Sequence, residues 1–180
     1  MQTINVIIMA LIINAGMVLY DFNTQETSGK WYIVNDDVMG GISESALKLN
    51  DNGTATFSGS LSLENNGGFA SIRSRIDSKP DNTYKGIVIR LKGDGKYYNV
   101  RFRTNNNFDG YAYQAKVKTE KNIWTEYKIS FNDFKPVFRG IILENKSVLG
   151  SKDIAQIGLL IGDKQFGEFS VDMDWIKFYN

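Results

Sequence analysis

Between residues 86 and 131, apolar and polar side chains alternate with a period of two. In one such run Tyr98, Val100 and Phe102 occupy the apolar positions, and charged or amide side chains lie between them. Two is the period of a β-strand, because successive side chains point to opposite faces. One apolar face on each strand indicates half-buried antiparallel sheets, and the chain is therefore expected to be all-β.

Clusters of Asn, Asp, Gly and Lys separate the strand patterns, as in a β-sandwich or barrel. The predicted strands span residues 18–22, 31–35, 42–49, 54–63, 69–76, 86–92, 97–104, 111–118, 124–131, 154–162 and 167–179. One or two helical turns are expected near 131–136 and 148–153. A change of phase in the last strand predicts a β-bulge near Asp174. The Gly93-Asp94-Gly95 cluster predicts a two-residue hairpin turn.

The chain has 180 residues, of which 42% are hydrophobic, and this fits one domain with its own core. We predict a single β-sandwich domain over residues 18–180. Residues 1–17 contain an apolar run that lacks a basic residue. We interpret them as a signal or anchoring segment, and a first strand is the alternative. The run is too short for a spanning helix. Export or membrane association and a cytoplasmic location both stay open.

The segment from Trp31 to Ser45 predicts a strand, an elaborate loop and a second strand. Asp36 and Asp37 are neighbours on this extended segment, so their side chains should point to opposite sides. We predict that Asp37 turns inward, toward backbone N–H groups or toward Arg73 or Arg139. Asp36 is then the carboxylate that faces a ligand or partner. The glycines of this loop and of a second loop are expected to be conformational: Gly40, Gly41, Gly67 and Gly68.

The motif Asp-Asp-Val-Met-Gly-Gly-x-Ser at 36–43 precedes Asn-Gly-Gly-Phe at 66–69, and further motifs follow in order. These are Gly93-Asp94-Gly95-Lys96-Tyr97, Phe131-Asn132-Asp133-Phe134-Lys135-Pro136, Phe138-Arg139-Gly140, Gly158-Leu159-Leu160-Ile161 and Gly167-Glu168-Phe169. The ordered set resembles the NADH:ubiquinone oxidoreductase complex I intermediate-associated protein 30 family. The resemblance implies a jelly-roll β-sandwich of the galactose-binding-like kind, without known catalytic activity. The mitochondrial members of that family are assembly factors for respiratory complex I.

The chain contains no His and no Cys, which removes the commonest acid–base groups, nucleophile pairs and metal ligands. We therefore predict a non-enzymatic protein with no catalytic residue, cofactor or metal site. A loop-bound calcium ion stays an alternative because related sandwiches often carry one, and its candidate ligands are Asp36, Asp37, Asp51 and Asp172. The net charge of +1 offers no overall field to attract nucleic acid, which is not expected as a partner.

One polar sheet face is the best candidate for a binding surface, and alternation assigns to it Arg90, Arg101, Arg103, Gln114, Lys116 and Glu126. Arginine forks recognise carboxylates and phosphates. A solvated face with cross-strand Arg–Glu pairs is the other interpretation. Trp124 and Tyr97 share the parity of these residues, and flat aromatic rings beside amides and acids would suit a sugar.

We therefore predict a non-catalytic binding or assembly-factor-like protein that recognises a protein partner through a sheet face and adjoining loops. A carbohydrate-binding module, with a glycan as ligand, is the alternative. The loop positions could equally serve to satisfy buried backbone. The candidate binding residues are Asp36, Asp37, Asn65, Asn66, Arg73, Arg101, Arg103, Trp124 and Arg139.

Overall fold

A computed structural model of the chain describes residues 16–23, 30–76, 80 and 83–180. In these residues the structure has thirteen strands, with short 3-10 helices as its only helical segments. The strands are β1 (Val18–Asp21), β2 (Trp31–Asn35), β3 (Glu44–Leu49), β4 (Ala55–Leu61), β5 (Ala70–Arg75), β6 (Gly86–Lys92), β7 (Tyr97–Arg103), β8 (Ala112–Lys118), β9 (Trp124–Ser130), β10 (Lys135–Phe138), β11 (Ile141–Ile142), β12 (Gln156–Ile161) and β13 (Gly167–Tyr179).

The strands form two antiparallel sheets. The six-stranded sheet has the order β3-β4-β13-β6-β9, and β1 pairs with the second half of β13. The seven-stranded sheet has the order β11-β10-β8-β7-β12-β5-β2. The prediction of an all-β jelly-roll sandwich is confirmed. The predicted bulge is also confirmed, because the register of β13 against β6 shifts between Met173 and Ile176.

The core lies between the sheets and contains the apolar side chains that alternation assigned to one face. Its largest fully buried members are Phe57, Ile72, Ile87, Ile89, Leu91, Tyr98, Phe102, Ile154, Ile157, Leu159, Ile161 and Phe178. Phe102 from the seven-stranded sheet packs its ring 6.2 Å from Phe131 and 5.2 Å from Phe134, between ring centroids. Burial of such rings removes a large apolar area from water and drives the two sheets together.

The link between β6 and β7 differs from the prediction. β6 belongs to the six-stranded sheet and β7 to the seven-stranded sheet, so residues 93–96 cross between the sheets and do not form a hairpin turn. Gly93 makes an isolated parallel bridge with Lys121. Thr119 stabilises the crossing segment, because its Oγ1 accepts a hydrogen bond from Gly95 N and donates one to Lys96 O.

This crossing also corrects the predicted polar face. Arg90 and Glu126 lie on the outer face of the six-stranded sheet, whereas the remaining four residues lie on the seven-stranded sheet: Arg101, Arg103, Gln114 and Lys116. Arg90 stands opposite Glu126, but it forms its ion pair with Asp174 of β13. Alternation correctly assigned which side chains of each strand face away from the core. It does not show to which sheet a strand belongs.

Two short regions contain structure that the pattern did not resolve. The expected helical turns are 3-10 segments, Phe131–Asp133 and Ser151–Asp153. The first has a capping box between Ser130 and Asp133. Strands β10 and β11 were missed, because Pro136 interrupts the pattern and β11 has only two residues.

Residues 1–15, most of the proposed signal or anchoring segment, lie outside the described residues. The described chain begins at Gly16, and Met17 packs against the core while its carbonyl accepts a hydrogen bond from Phe178 N. In the described portion, no helix has the length and apolarity needed to cross a membrane.

The aromatic cluster yields a test of the core. Replacing Phe102 by Ala should lower the free energy of unfolding by about 3–5 kcal/mol, because it leaves a cavity against Phe131 and Phe134. Ile141, on the exposed edge strand β11, is the control, and Ile141→Ala should change stability by about 0.5 kcal/mol or less. Urea unfolding measures both values, and similar effects for the two variants would contradict this description of the core.

Candidate functional site

The loop after β2 is organised around the side chain of Asp36, which is fully buried. Its carboxylate accepts hydrogen bonds from the backbone and the hydroxyl of Ser43, at 2.9 and 2.5 Å. It also accepts hydrogen bonds from Gly68 N at 2.5 Å and Phe69 N at 3.2 Å. Ser43 in turn accepts a hydrogen bond from Ser62 N on its hydroxyl. This set of contacts, the Asp36 junction, connects the ends of β2, β3, β4 and β5.

The electrostatics of the Asp36 junction favour the charged carboxylate. Burial alone would raise the pKa of Asp36, but hydrogen bonds from Ser43, Gly68 and Phe69 outweigh it and lower the pKa below its usual value. Such donors stabilise a carboxylate more than its protonated form. The junction therefore contains a buried negative charge that backbone N–H groups and the Ser43 hydroxyl stabilise.

Asp36 and Asp37 do divide into one inward and one outward member, but the predicted assignment is wrong. Asp36 is the buried member, and Asp37 is exposed. The inward partners are backbone N–H groups and Ser43, and neither Arg73 nor Arg139 takes part. The backbone N–H of Asp36 donates to Phe69 O, and this bond orients the residue toward the second loop.

The four glycines of the two loops serve two purposes. Gly40 and Gly68 have φ of 88° and 117°, in the region that residues with a Cβ rarely adopt. Gly41 and Gly67 make room for Asp36. A Cβ at Gly41 would lie 2.4 Å from the Asp36 carboxyl carbon, and a Cβ at Gly67 would lie 2.6 Å from its Oδ2. The predicted conformational role thus holds for one glycine of each pair, and the other allows close approach.

Asn65 and Asn66 form the turn before Gly67, and both side chains are exposed. Their φ values are 54° and 60°, which asparagine tolerates better than most residues. Their backbone conformation therefore shapes the second loop, whatever their side chains bind.

Apolar side chains project from the Asp36 junction into solvent. Val38 is 56% exposed, Met39 57% and Ile42 53%, and all three lie within one five-residue segment. We call these three residues the apolar tip. The junction holds the backbone on both sides of it, because Asp36 N is bonded to Phe69 O and Ser43 is bonded to the Asp36 carboxylate. The structure therefore presents an apolar group on a braced loop.

A second polar feature lies on the outer face of the seven-stranded sheet. Arg73 of β5 and Arg101 of β7 stand on either side of Gly158 of β12, in register. Gly158 lies at the base of a shallow hollow of only about 10 Å³. Arg103 and Gln156 also line this hollow. We call it the arginine hollow.

Arg101 is the unusual member of the arginine hollow. Its Nε is buried and has no hydrogen-bond partner. Burial, reinforced by the charges of Arg103 and Arg73, lowers the pKa of Arg101 to about 10. The guanidinium therefore remains protonated at neutral pH. Next to it on the same face, Asn99 is fully buried, and its Oδ1 has no donor.

A loop over residues 105–110 covers one end of this face. Arg73 donates to Phe108 O at 3.0 Å, and Arg103 donates to Gly110 O at 2.6 Å. Gln156 donates to Asn105 O at 2.7 Å. Burial lowers the pKa of both Arg73 and Arg103, and Asp109 opposes that effect in each case. The loop thus bonds Arg73 and Arg103 through backbone carbonyls and leaves Arg101 to one side.

Arg139 and Trp124 lie away from the arginine hollow. Arg139 is exposed, has φ of 48° and pairs with Asp109 at 3.7 Å. Trp124 lies on β9 of the other sheet, so the predicted aromatic pair with Tyr97 does not form one platform. A cationic side chain also lies over each ring: Arg90 lies 4.8 Å from the centroid of Trp124, and Lys118 lies 4.3 Å from that of Tyr97.

The candidate calcium ligands are dispersed. In the described ranges, no group of three or more His, Cys, Asp or Glu side chains is arranged to bind a metal ion. Asp172 pairs with Lys92 at 2.7 Å and accepts a hydrogen bond from Thr56 at 2.6 Å. The carboxylate of Asp36 faces N–H donors, which is the opposite of what a cation needs.

Several residues in or beside the arginine hollow were not among the predicted site residues. Gly158 could have been found, because a glycine inside a strand often marks a close approach. Tyr32 donates to Gln156 Oε1 at 3.0 Å, a contact between residues 124 positions apart. Asn99 looks like any outward polar residue of β7. Only the tertiary fold buries it.

Asp36 and Asp37 provide a direct test of the junction. Asp36→Ala should lower the free energy of unfolding by on the order of 3 kcal/mol, because it leaves several buried donors unpaired. Asp37→Ala is the matched control and should change stability by about 0.5 kcal/mol or less. Thermal or urea unfolding measures both. Equal losses would show that the junction does not depend on the buried carboxylate.

The lowered pKa of Asp36 predicts the pH dependence. A carboxylate with a lowered folded-state pKa contributes stability above its unfolded pKa of about 3.9 and loses it as the pH falls further. The stability difference between the native chain and Asp36→Asn should thus be constant above about pH 5 and shrink below about pH 4. Urea unfolding from pH 3 to 7 measures this difference, and a constant value throughout would contradict the assignment.

Comparison with known proteins identifies the family. Residues 20–173 match the family described as Complex I intermediate-associated protein 30. The chain is 28% identical to the probable complex I intermediate-associated protein 30, mitochondrial, of Caenorhabditis elegans and 26% identical to the corresponding protein of Mus musculus. These matches cover 93% and 94% of this chain but span only 55% and 58% of the two relatives.

Solved structures show the same fold at low sequence identity. The family 11 carbohydrate-binding module from Clostridium thermocellum, in complex with a mixed-linked tetrasaccharide, has a TM-score of 0.66 at 16% identity. The match covers 92% of this chain and 96% of that one. The agarase AgWH50C has a TM-score of 0.58 at 9% identity, over 92% of this chain and 25% of that one. At such identity the likeness concerns the fold alone. By its sequence match, the chain belongs to the complex I intermediate-associated protein 30 family.

Proposed function

We propose that this chain is a non-catalytic binding protein of the assembly-factor type, which docks a protein partner through the apolar tip and the adjoining face of the seven-stranded sheet. The names of its relatives support a role in complex assembly. The absence of His and Cys supports a non-catalytic role. The observation that carries the proposal is the exposure of Val38, Met39 and Ile42 on a loop braced by Asp36.

A braced apolar loop suits protein recognition for an energetic reason. Binding is weakened when a loop has to be ordered in the complex, and a loop that is already fixed avoids that cost. Apolar side chains that become fully desolvated on docking contribute most of the affinity of many interfaces. The Asp36 junction would fix the apolar tip before a partner arrives.

The carbohydrate-binding alternative rests on the fold neighbours, one of which was solved with a tetrasaccharide. Sugar rings stack on open aromatic faces. Trp124 and Tyr97 lie on different sheets, and each has a cation near its ring. These contacts favour the protein partner over the glycan.

The apolar tip can be tested by photo-cross-linking in cells of the source organism. A benzoylphenylalanine at position 38 should give discrete protein adducts, and Met39→Asp in the same chain should remove them by making desolvation unfavourable. Mass spectrometry identifies the adducts.

Ile141 is the matched control, because it is 69% exposed and lies at the opposite end of the seven-stranded sheet. The same cross-linker at position 141 should give no adduct in common with position 38. Identical adducts from both positions would show non-specific capture and contradict the proposal. Binding to neutral oligosaccharides on a glycan array, unaffected by Met39→Asp, would favour the carbohydrate-binding alternative.

A further inference from the structure

The arginine hollow combines high positive charge with little compensation. Arg73, Arg101 and Arg103 line it together, and none of them forms an ion pair within the described part of the chain. Arg73 and Arg103 at least donate to backbone carbonyls of the covering loop. The buried Nε–H of Arg101 has no hydrogen-bond acceptor in the described part of the chain. Burial of an unpaired charge is unfavourable, so a chain that needed only a folded sheet would not benefit from Arg101.

The hollow has the chemistry of an oxyanion site. A guanidinium presents Nε–H and Nη–H as a planar fork, and a carboxylate accepts both hydrogens at once. Arg73 and Arg101 flank Gly158 at the centre of the sheet, and the Arg73 side chain packs close to that glycine, with Cγ 3.4 Å from where a Cβ would lie. One carboxylate docked on this shallow surface would supply an acceptor for the Arg101 guanidinium and reduce the repulsion among the three arginines.

The sheet register extends this site into two rows. Arg73 and Arg101 form one row across Gly158, and Arg75 and Arg103 form the next row across Gln156. The rows are two residues apart along the strands, which is about 6.8 Å. This is also the spacing of alternate side chains in an extended peptide.

A second, open hollow of about 480 Å³, lined by Tyr32, Arg75 and Phe108 among others, gives room for the remainder of such a peptide. It adjoins the first along the strands, because Tyr32 pairs with Arg73 and Arg75 pairs with Gln156. The two neighbouring hollows therefore offer a larger surface than a single small anion needs.

We propose that the arginine hollow binds an acidic segment of the protein partner in extended conformation, with carboxylates at alternate positions and one of them against the guanidinium groups of Arg73 and Arg101. The identification of the ligand as a peptide rests on the proposed function. An acidic sugar would bring the same carboxylate, but a cation already lies over each aromatic ring near the site. Arg73 lies 5.6 Å from the ring centroid of Phe108, and Lys118 lies over Tyr97.

The first test uses the full chain and a defined probe. A blocked peptide with a Glu-Ser-Glu core is titrated at low salt, and the side-chain Nε–H signal of Arg101 is followed by NMR. It should shift and saturate, and a peptide with a Gln-Ser-Gln core should give no shift. Shifts of equal size with both peptides, or none at Arg101 with either, would overturn the proposal. A trigalacturonate that binds about tenfold or more tightly than the acidic peptide would overturn the assignment to a protein segment.

The second test separates binding from structure. Arg101→Gln should weaken binding of the acidic peptide by about tenfold or more, which is the usual contribution of a hydrogen bond to a charged group. It should leave the melting temperature unchanged or higher, because removal of the Arg101 guanidinium leaves no other group without a hydrogen-bond partner. Lys128→Gln, an exposed charge on the other sheet, is the control and should change neither quantity. A fall in melting temperature with unchanged peptide affinity would show that Arg101 is a structural residue.

The outcomes for this site and for the apolar tip are independent. Loss of peptide binding concerns only the arginine hollow, because the cross-linker at position 38 reports on a different end of the sheet. If position 38 gives specific adducts and the acidic peptide does not bind, the present inference fails and the proposed function stands. If the peptide binds and position 38 gives no specific adduct, the role of the apolar tip fails.

Discussion

The architecture depends on one buried carboxylate. Asp36 follows a strand of the seven-stranded sheet, and its acceptor atoms meet Ser43, which precedes a strand of the six-stranded sheet. The same carboxylate bonds Gly68 and Phe69, which lead back into the seven-stranded sheet. A single side chain thus fixes how two sheets meet at one end. Its glycine neighbours are explained by this role, because two of them leave the space that the carboxylate occupies.

The two candidate surfaces differ in physical character. The apolar tip is exposed and held by backbone bonds at the Asp36 end of the seven-stranded sheet. The arginine hollow lies at the centre of that sheet, on strand β7, where Asn99 and Arg103 are buried on the outer face. A partner that used both would combine apolar burial with charge recognition. The first commonly supplies affinity, and the second supplies specificity and orientation.

Alternation alone predicted most strands, and β6 and β13 have the predicted bounds. It could not predict which sheet a strand joins, since both sheets have one apolar face. Arg90 was therefore grouped with Arg101, from which the core separates it. The sequence also favoured Asp37 as the buried acid, because it lies nearer the Gly40-Gly41 turn. Two of the four donors to Asp36 come from a loop about thirty residues away, which no local pattern reveals.

The Asp36 junction has a consequence for where such a chain can fold. Small sandwiches are often fastened by disulfides, which form in oxidising compartments and break in reducing ones. This chain has no Cys, and a carboxylate surrounded by backbone N–H groups connects its strand ends instead. Thiols and oxidants do not act on that fastening. The connection of these strand ends therefore does not require an oxidising compartment.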